Sequence, residues 1–112
     1  MKATINQVLA FCTVARTGSF AEAAVNLHLS QPALSIAIKN LEEALGGALL
    51  ARTTRSVALT PEGKAFYPIA RRLLSDWEQS LQDVRNHFAL QRGKLEIAAM
   101  PTYTSNLLPQ IF

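Results

Sequence analysis

Phe20-Ala21-Glu22-Ala23-Ala24-Val25-Asn26-Leu27-His28-Leu29-Ser30-Gln31-Pro32-Ala33-Leu34-Ser35-Ile36-Ala37-Ile38-Lys39 reads as two helices joined by a tight turn. Ser19 precedes the stretch and Glu22 lies three residues on, the spacing of a capping box, so a short helix runs from Phe20 to about Asn26. Leu27-His28-Leu29 is the turn. Ser30 is a natural N-cap, and Pro32 is tolerated only in a first helical turn, so a second helix begins at Gln31. Leu34, Ile38, Leu41 and Leu45 recur on one side of it until Gly46-Gly47 ends it. Two helices can cross closely only where a side chain is small, and Ala23 and Ala24 meet that need. Leu27, Leu29, Leu34 and Ile38 are the apolar groups expected to pin the second helix. This is a helix-turn-helix, with Phe20, Ala24, Leu29, Leu34 and Ile38 as its framework. His28 stands where a turn glycine is usual, and no second ligand lies at metal spacing from it.

The flanking sequence completes a small domain. Thr4 and Gln7 form another capping pair, and Ile5, Val8, Leu9, Phe11, Cys12 and Ala15 give a helix over Ile5–Thr17 an apolar face that Gly18 terminates. Downstream, Ala48–Ala51 and Val57–Leu59 are β-prone and flank the polar loop Arg52-Thr53-Thr54-Arg55-Ser56, which has hairpin length. Thr60-Pro61-Glu62 then restarts a helix that reads as continuous to about Leu90. Pro68 inside it removes one backbone hydrogen bond and predicts a kink. Phe66, Ala70, Leu73, Trp77, Leu81, Val84 and Phe88 fall every three or four residues, a stripe longer than the preceding domain can cover. Phe66, Leu73, Trp77, Leu81, Val84 and Phe88 are therefore the expected dimerisation residues. After Arg92-Gly93 the pattern changes to an alternating strand, Lys94–Ala98, and Thr104–Phe112 resembles the opening of another helix. The expected fold is mainly α: a winged helix-turn-helix of three helices and a two-stranded wing over residues 1–60, a long dimerisation helix over 61–90, and a hinge with the start of a further domain over 91–112.

Composition limits the function classes. The 112 residues are 49% hydrophobic, enough for a core, and carry a net charge of +3. The single cysteine excludes an internal disulfide, and its apolar setting reads as a core residue. No apolar run reaches membrane-span length and no signal-peptide pattern opens the chain, so a cytoplasmic protein without a membrane role is expected. There is no glycine-rich phosphate loop, no paired carboxylate setting and no metal-ligand cluster. An enzyme, a cofactor or a bound metal is not expected.

The surface of the second helix in the motif bears on partners. On a helical wheel Gln31, Pro32, Ser35 and Lys39 lie away from the leucine stripe, with Ser30 at the head of the helix. Gln pairs bidentately with adenine, Ser reaches several bases, and Lys contacts guanine or phosphate. Glu42 and Glu43 would repel phosphate and should lie beyond the DNA. Taken alone, this face fits an ordinary solvated surface equally well. The loop shifts the balance, because Arg52 and Arg55 beside Thr53 and Thr54 give a narrow ribbon the charge to follow a nucleic-acid backbone or enter a minor groove. The rival reading, a winged helix that docks proteins, calls for an apolar face in place of these groups.

Four segments together resemble the N-terminal domain of LysR-type transcriptional regulators. They are Gly18-Ser19-Phe20-Ala21-Glu22-Ala23-Ala24, Leu29-Ser30-Gln31-Pro32-Ala33-Leu34-Ser35, Leu41-Glu42-Glu43-Ala44-Leu45-Gly46, and Arg52-Thr53-Thr54-Arg55-Ser56-Val57 with Leu59-Thr60-Pro61-Glu62-Gly63. The resemblance implies a homodimer, or a dimer of dimers, on an inverted repeat in double-stranded DNA, its two long helices antiparallel. It implies major-groove contacts from Gln31, Pro32, Ser35 and Lys39, a minor-groove contact from Arg55, and backbone support from Arg52, Thr53 and Thr54. Many members carry arginine directly after the serine matched by Ser35. Here Ile36 stands instead, an apolar group able to meet a thymine methyl. The tail is similar to the first strand and helix start of the family's effector-binding domain, which would place Thr102 near a small-molecule effector in the full-length protein.

Overall fold

The computed structural model describes residues 2–52 and 56–94, of which 93 and 94 are described in backbone only. Four helices and two strands follow in the order α1 (Ile5–Thr17), α2 (Phe20–Leu27), α3 (Gln31–Leu45), β1 (Leu50–Arg52), β2 (Val57–Leu59) and α4 (Pro61–Lys94). The chain divides into two units, Met1–Asp76 and Trp77–Phe112.

Local side-chain chemistry sets most of the boundaries. Thr4 Oγ1 accepts the Gln7 N–H at 3.2 Å, and Gln7 Oε1 accepts the Thr4 N–H at 3.1 Å, closing the expected capping box. Gly18 ends α1 in the left-handed region at φ 72°, donating its N–H to the Val14 carbonyl. At α2 only half of the second expected box forms. Ser19 Oγ accepts from Glu22 N at 3.1 Å, but the Ser19 N–H is taken by the Thr17 hydroxyl at 3.3 Å. Ser30 caps α3 by accepting from Ala33 N at 3.2 Å.

α1 is more deeply embedded than one apolar stripe implies. Val8, Ala10, Phe11, Cys12, Thr13 and Val14 are all buried, whereas Leu9, expected on the apolar face, is exposed. The buried Thr13 is satisfied by donating to the Leu9 carbonyl at 2.8 Å. Phe11 sits at the centre of the core, its ring 5.5 Å from Phe66 and 6.3 Å edge-on from Tyr67. The first turns of α4 thus complete the core of the first unit. Phe66, expected among the dimerisation residues, packs against the core of its own chain.

Cys12 is buried in the same core. Burial pushes its thiol from 9.0 up to about 11, with the Arg71 charge pulling the other way. The folded state therefore holds the proton more tightly than the unfolded chain. Stability should be unaffected below about pH 9 and fall as pH rises from 9 toward 11. Thiol labelling at pH 8 checks the same point: Cys12 should react only after denaturant is added.

The hairpin pairs antiparallel with Leu50 opposite Leu59, Ala51 opposite Ala58 and Arg52 opposite Val57. Its first strand starts two residues later than the sequence suggested. Thr60 Oγ1 donates to the Ala48 carbonyl at 2.8 Å, and Thr60 N donates to the Leu49 carbonyl at 3.0 Å. α4 continues through Pro68 and runs to Lys94, past the Leu90 end read from the sequence, so the hinge expected from residue 91 does not begin there. The expected strand at Lys94–Ala98 loses Lys94 to the helix. Its remaining residues, the Thr104–Phe112 helix and Thr102 lie outside the described residues.

Candidate nucleic-acid interface

α2 and α3 are joined by a turn in which His28 adopts the left-handed conformation, φ 57° and ψ 42°. It is the only non-glycine residue at positive φ among those described, so it performs the C-capping role usually given to glycine. The His28 N–H donates to the Val25 carbonyl at 3.2 Å, and the Leu29 N–H closes onto the Ala24 carbonyl at 2.9 Å. Ala23 and Ala24 are buried where α2 packs against α1 and α3. Leu34 and Ile38 are fully buried, with Leu41 beside them. Leu27 supplies the packing at the turn. Leu29 does not. The reversal at His28 leaves it 43% exposed, a correction to its expected pinning role, and Leu45 in the last turn of α3 is also exposed.

Burial of Leu34, Ile38 and Leu41 fixes the rotation of α3 and hence its opposite face. Gln31, Pro32, Ile36 and Lys39 are exposed and Ser35 is half-buried, while the cap Ser30 is exposed at the helix start. Ile36 is 60% exposed and, at about 100° per residue, lies nearly opposite the buried stripe. No folding reason places a β-branched apolar residue there. Glu42 has a structural role within the fold. Its Oε2 accepts the Leu49 N–H at 2.8 Å and the Leu50 N–H at 3.2 Å, tying the end of α3 to the hairpin. No local signal could have disclosed that role, because its partners lie across the Gly46-Gly47 turn.

In the wing, Arg52 is the last residue of β1 and is exposed. Its guanidinium carbon lies 4.3 Å above the centroid of the Phe20 ring, at the start of α2. Phe20 itself is partly buried against the core. Thr53, Thr54 and Arg55 lie outside the described residues. On α4, Leu73 is exposed in the first unit. Trp77, Leu81, Val84 and Phe88 are all exposed in the second, with Trp77 at 46%. Among the described residues no group of three His, Cys, Asp or Glu could hold a metal ion. Nor is any described helix long and apolar enough to cross a membrane.

Three helices with a helix-turn-helix at α2–α3, backed by a two-stranded hairpin, define a winged helix-turn-helix domain. Residues 5–64 match the family model for the bacterial regulatory helix-turn-helix protein, lysR family. The chain belongs to that family. The uncharacterized HTH-type transcriptional regulator YbhD of Escherichia coli K12 is 39% identical over 109 residues, covering 97% of this chain and 34% of the relative. The crystal structure of the BenM DBD in complex with catB site 1 DNA superposes with a TM-score of 0.71 at 41% identity, over 74% of this chain and 93% of that one. Vibrio fischeri DarR in complex with DNA gives a TM-score of 0.75 at 30% identity, over 80% of this chain and 31% of that one. The chain spans about a third of the length of the curated relatives it matches.

Proposed function

We propose that this chain is the DNA-binding part of a cytoplasmic LysR-type regulator, acting as a homodimer on an inverted repeat and carrying no enzymatic activity. α3 enters the major groove, where Gln31, Ser35 and Lys39 meet base edges and phosphate, and Pro32 and Ile36 make apolar contact. Ser30 sits at the docking end of the helix. Arg55 enters the minor groove from the wing, with Arg52, Thr53 and Thr54 on the backbone. Residues 1–60 form the reading domain. The part of α4 beyond the core pairs with a second copy through Leu73, Trp77, Leu81, Val84 and Phe88, setting the spacing of two half-sites. A small-molecule effector belongs to the full-length protein, where Thr102 would face it.

The observation that carries this reading is the rotation of α3: the buried Leu34, Ile38 and Leu41 turn an uncharged polar row and Lys39 outward. The experiment is a binding comparison between the preferred duplex, selected from random sequence, and unrelated duplexes. Gln31→Ala and Ser35→Ala should each lose about 1–3 kcal/mol of discrimination while binding unrelated DNA nearly as before. Equal losses on both duplexes would refute base reading by these residues.

A further inference from the structure

We infer that Phe20 is a positioning residue whose ring holds Arg52 at the root of the wing for contact with a DNA phosphate. The inference rests on the reading of this chain as a DNA-binding domain. The two residues come from separate elements. Phe20 opens α2, and Arg52 ends β1 opposite Val57, on the last paired rung before the wing loop. The guanidinium carbon lies 4.3 Å from the ring centroid. The ring is packed against the core on one side, so it is a fixed surface and not a second mobile side chain.

The chemistry of the pair favours an anion. A guanidinium stacked on an aromatic face keeps its N–H donors in the plane of its own edge, where they match the oxygens of a phosphate. Arg52 is exposed at the end of β1. What the aromatic ring adds is a platform for a cation. Holding the long arginine side chain before DNA arrives reduces the rotamer entropy lost on binding. The stack also links the start of the helix-turn-helix to the rung from which the wing loop departs.

The test is a double-mutant cycle on the full chain, read as affinity for a random-sequence duplex across a salt series. Arg52→Ala should weaken binding and reduce the slope of log K against log salt by about 2, one phosphate contact from each of two copies, with equal losses on random and preferred duplexes. Phe20→Leu should weaken binding about two- to fivefold for each copy engaged, the range of an exposed cation–π contact. Phe20→Tyr, which keeps the aromatic face, should retain wild-type affinity. In the Arg52→Ala background Phe20→Leu should have no further effect, and this comparison cancels any change in stability. Equal effects of Phe20→Leu in both backgrounds, or of Phe20→Tyr and Phe20→Leu, would overturn the positioning role. An Arg52→Ala loss confined to the preferred duplex would overturn the phosphate assignment. Wild-type binding that does not change with salt would overturn the DNA reading itself, and the inference with it.

Discussion

Gly63→Ala is expected to destabilise the first unit by about 3 kcal/mol, at the upper end of the usual cost of overpacking. Gly63 is buried in the first turn of α4. A Cβ there would collide with the Leu49 carbonyl oxygen, while the Leu49 carbonyl carbon would lie at 3.0 Å and Leu59 Cδ2 at 3.2 Å. Two of these three atoms are backbone and cannot rotate away. The same Leu49 carbonyl accepts the Thr60 N–H, and Gly63 N donates to Thr60 Oγ1 at 3.0 Å. Moving the helix outward would break the junction that seats α4 on the hairpin. Thermal unfolding followed by circular dichroism should show a fall of more than about 10 °C for a domain of this size. An unchanged midpoint would mean that this close approach is not a feature of the folded chain.

Trp77→Lys should convert a dimer into a monomer and weaken binding to a two-half-site duplex by about 100-fold or more, the loss expected when two linked contacts become one. Trp77, Leu81, Val84 and Phe88 follow one another at spacings of four, three and four, which keeps them on one face of α4. All four are exposed in the single chain. Burying such side chains contributes about 1.5–3 kcal/mol each before association entropy is subtracted. Lysine at position 77 places a charge within that contact, where desolvation opposes pairing. Sedimentation at micromolar concentration distinguishes the outcomes. A wild-type monomer with readily quenched Trp77 fluorescence would exclude a dimer through this helix.

Elements governed by neighbours in sequence could be read from the residues directly. The ends of α1 follow from Thr4, Gln7 and Gly18, the ends of α3 from Ser30 and Gly46, and each is realised by a bond of three or four residues' reach. The buried stripe of α3 followed from the spacing of Leu34, Ile38 and Leu41. What depended on distant packing was less legible. Leu29 and Leu45 carry the apolar signal of core residues, yet one follows a left-handed turn and the other closes a helix, and both face outward. Phe66 shares its spacing with the exposed residues of α4, and only the Phe11 ring distinguishes it. The interface divides in the same way. The polar row on α3 was legible because helical period places it. The roles of Glu42 and Phe20 were not, because their partners Leu49, Leu50 and Arg52 reach them only through the fold.

If α3 and the wing form a DNA-binding surface, binding to duplex DNA should weaken steeply as salt is titrated in. Each phosphate neutralised by a lysine or arginine releases a condensed counterion, so log K should fall linearly with log salt at about −0.9 per contact. A chain using Lys39, Arg52 and Arg55 from each of two copies should give a slope near −5, steeper on duplex than expected for incidental attraction to a net charge of only +3 per chain. A slope near zero, or affinity confined to protein partners, would contradict the account.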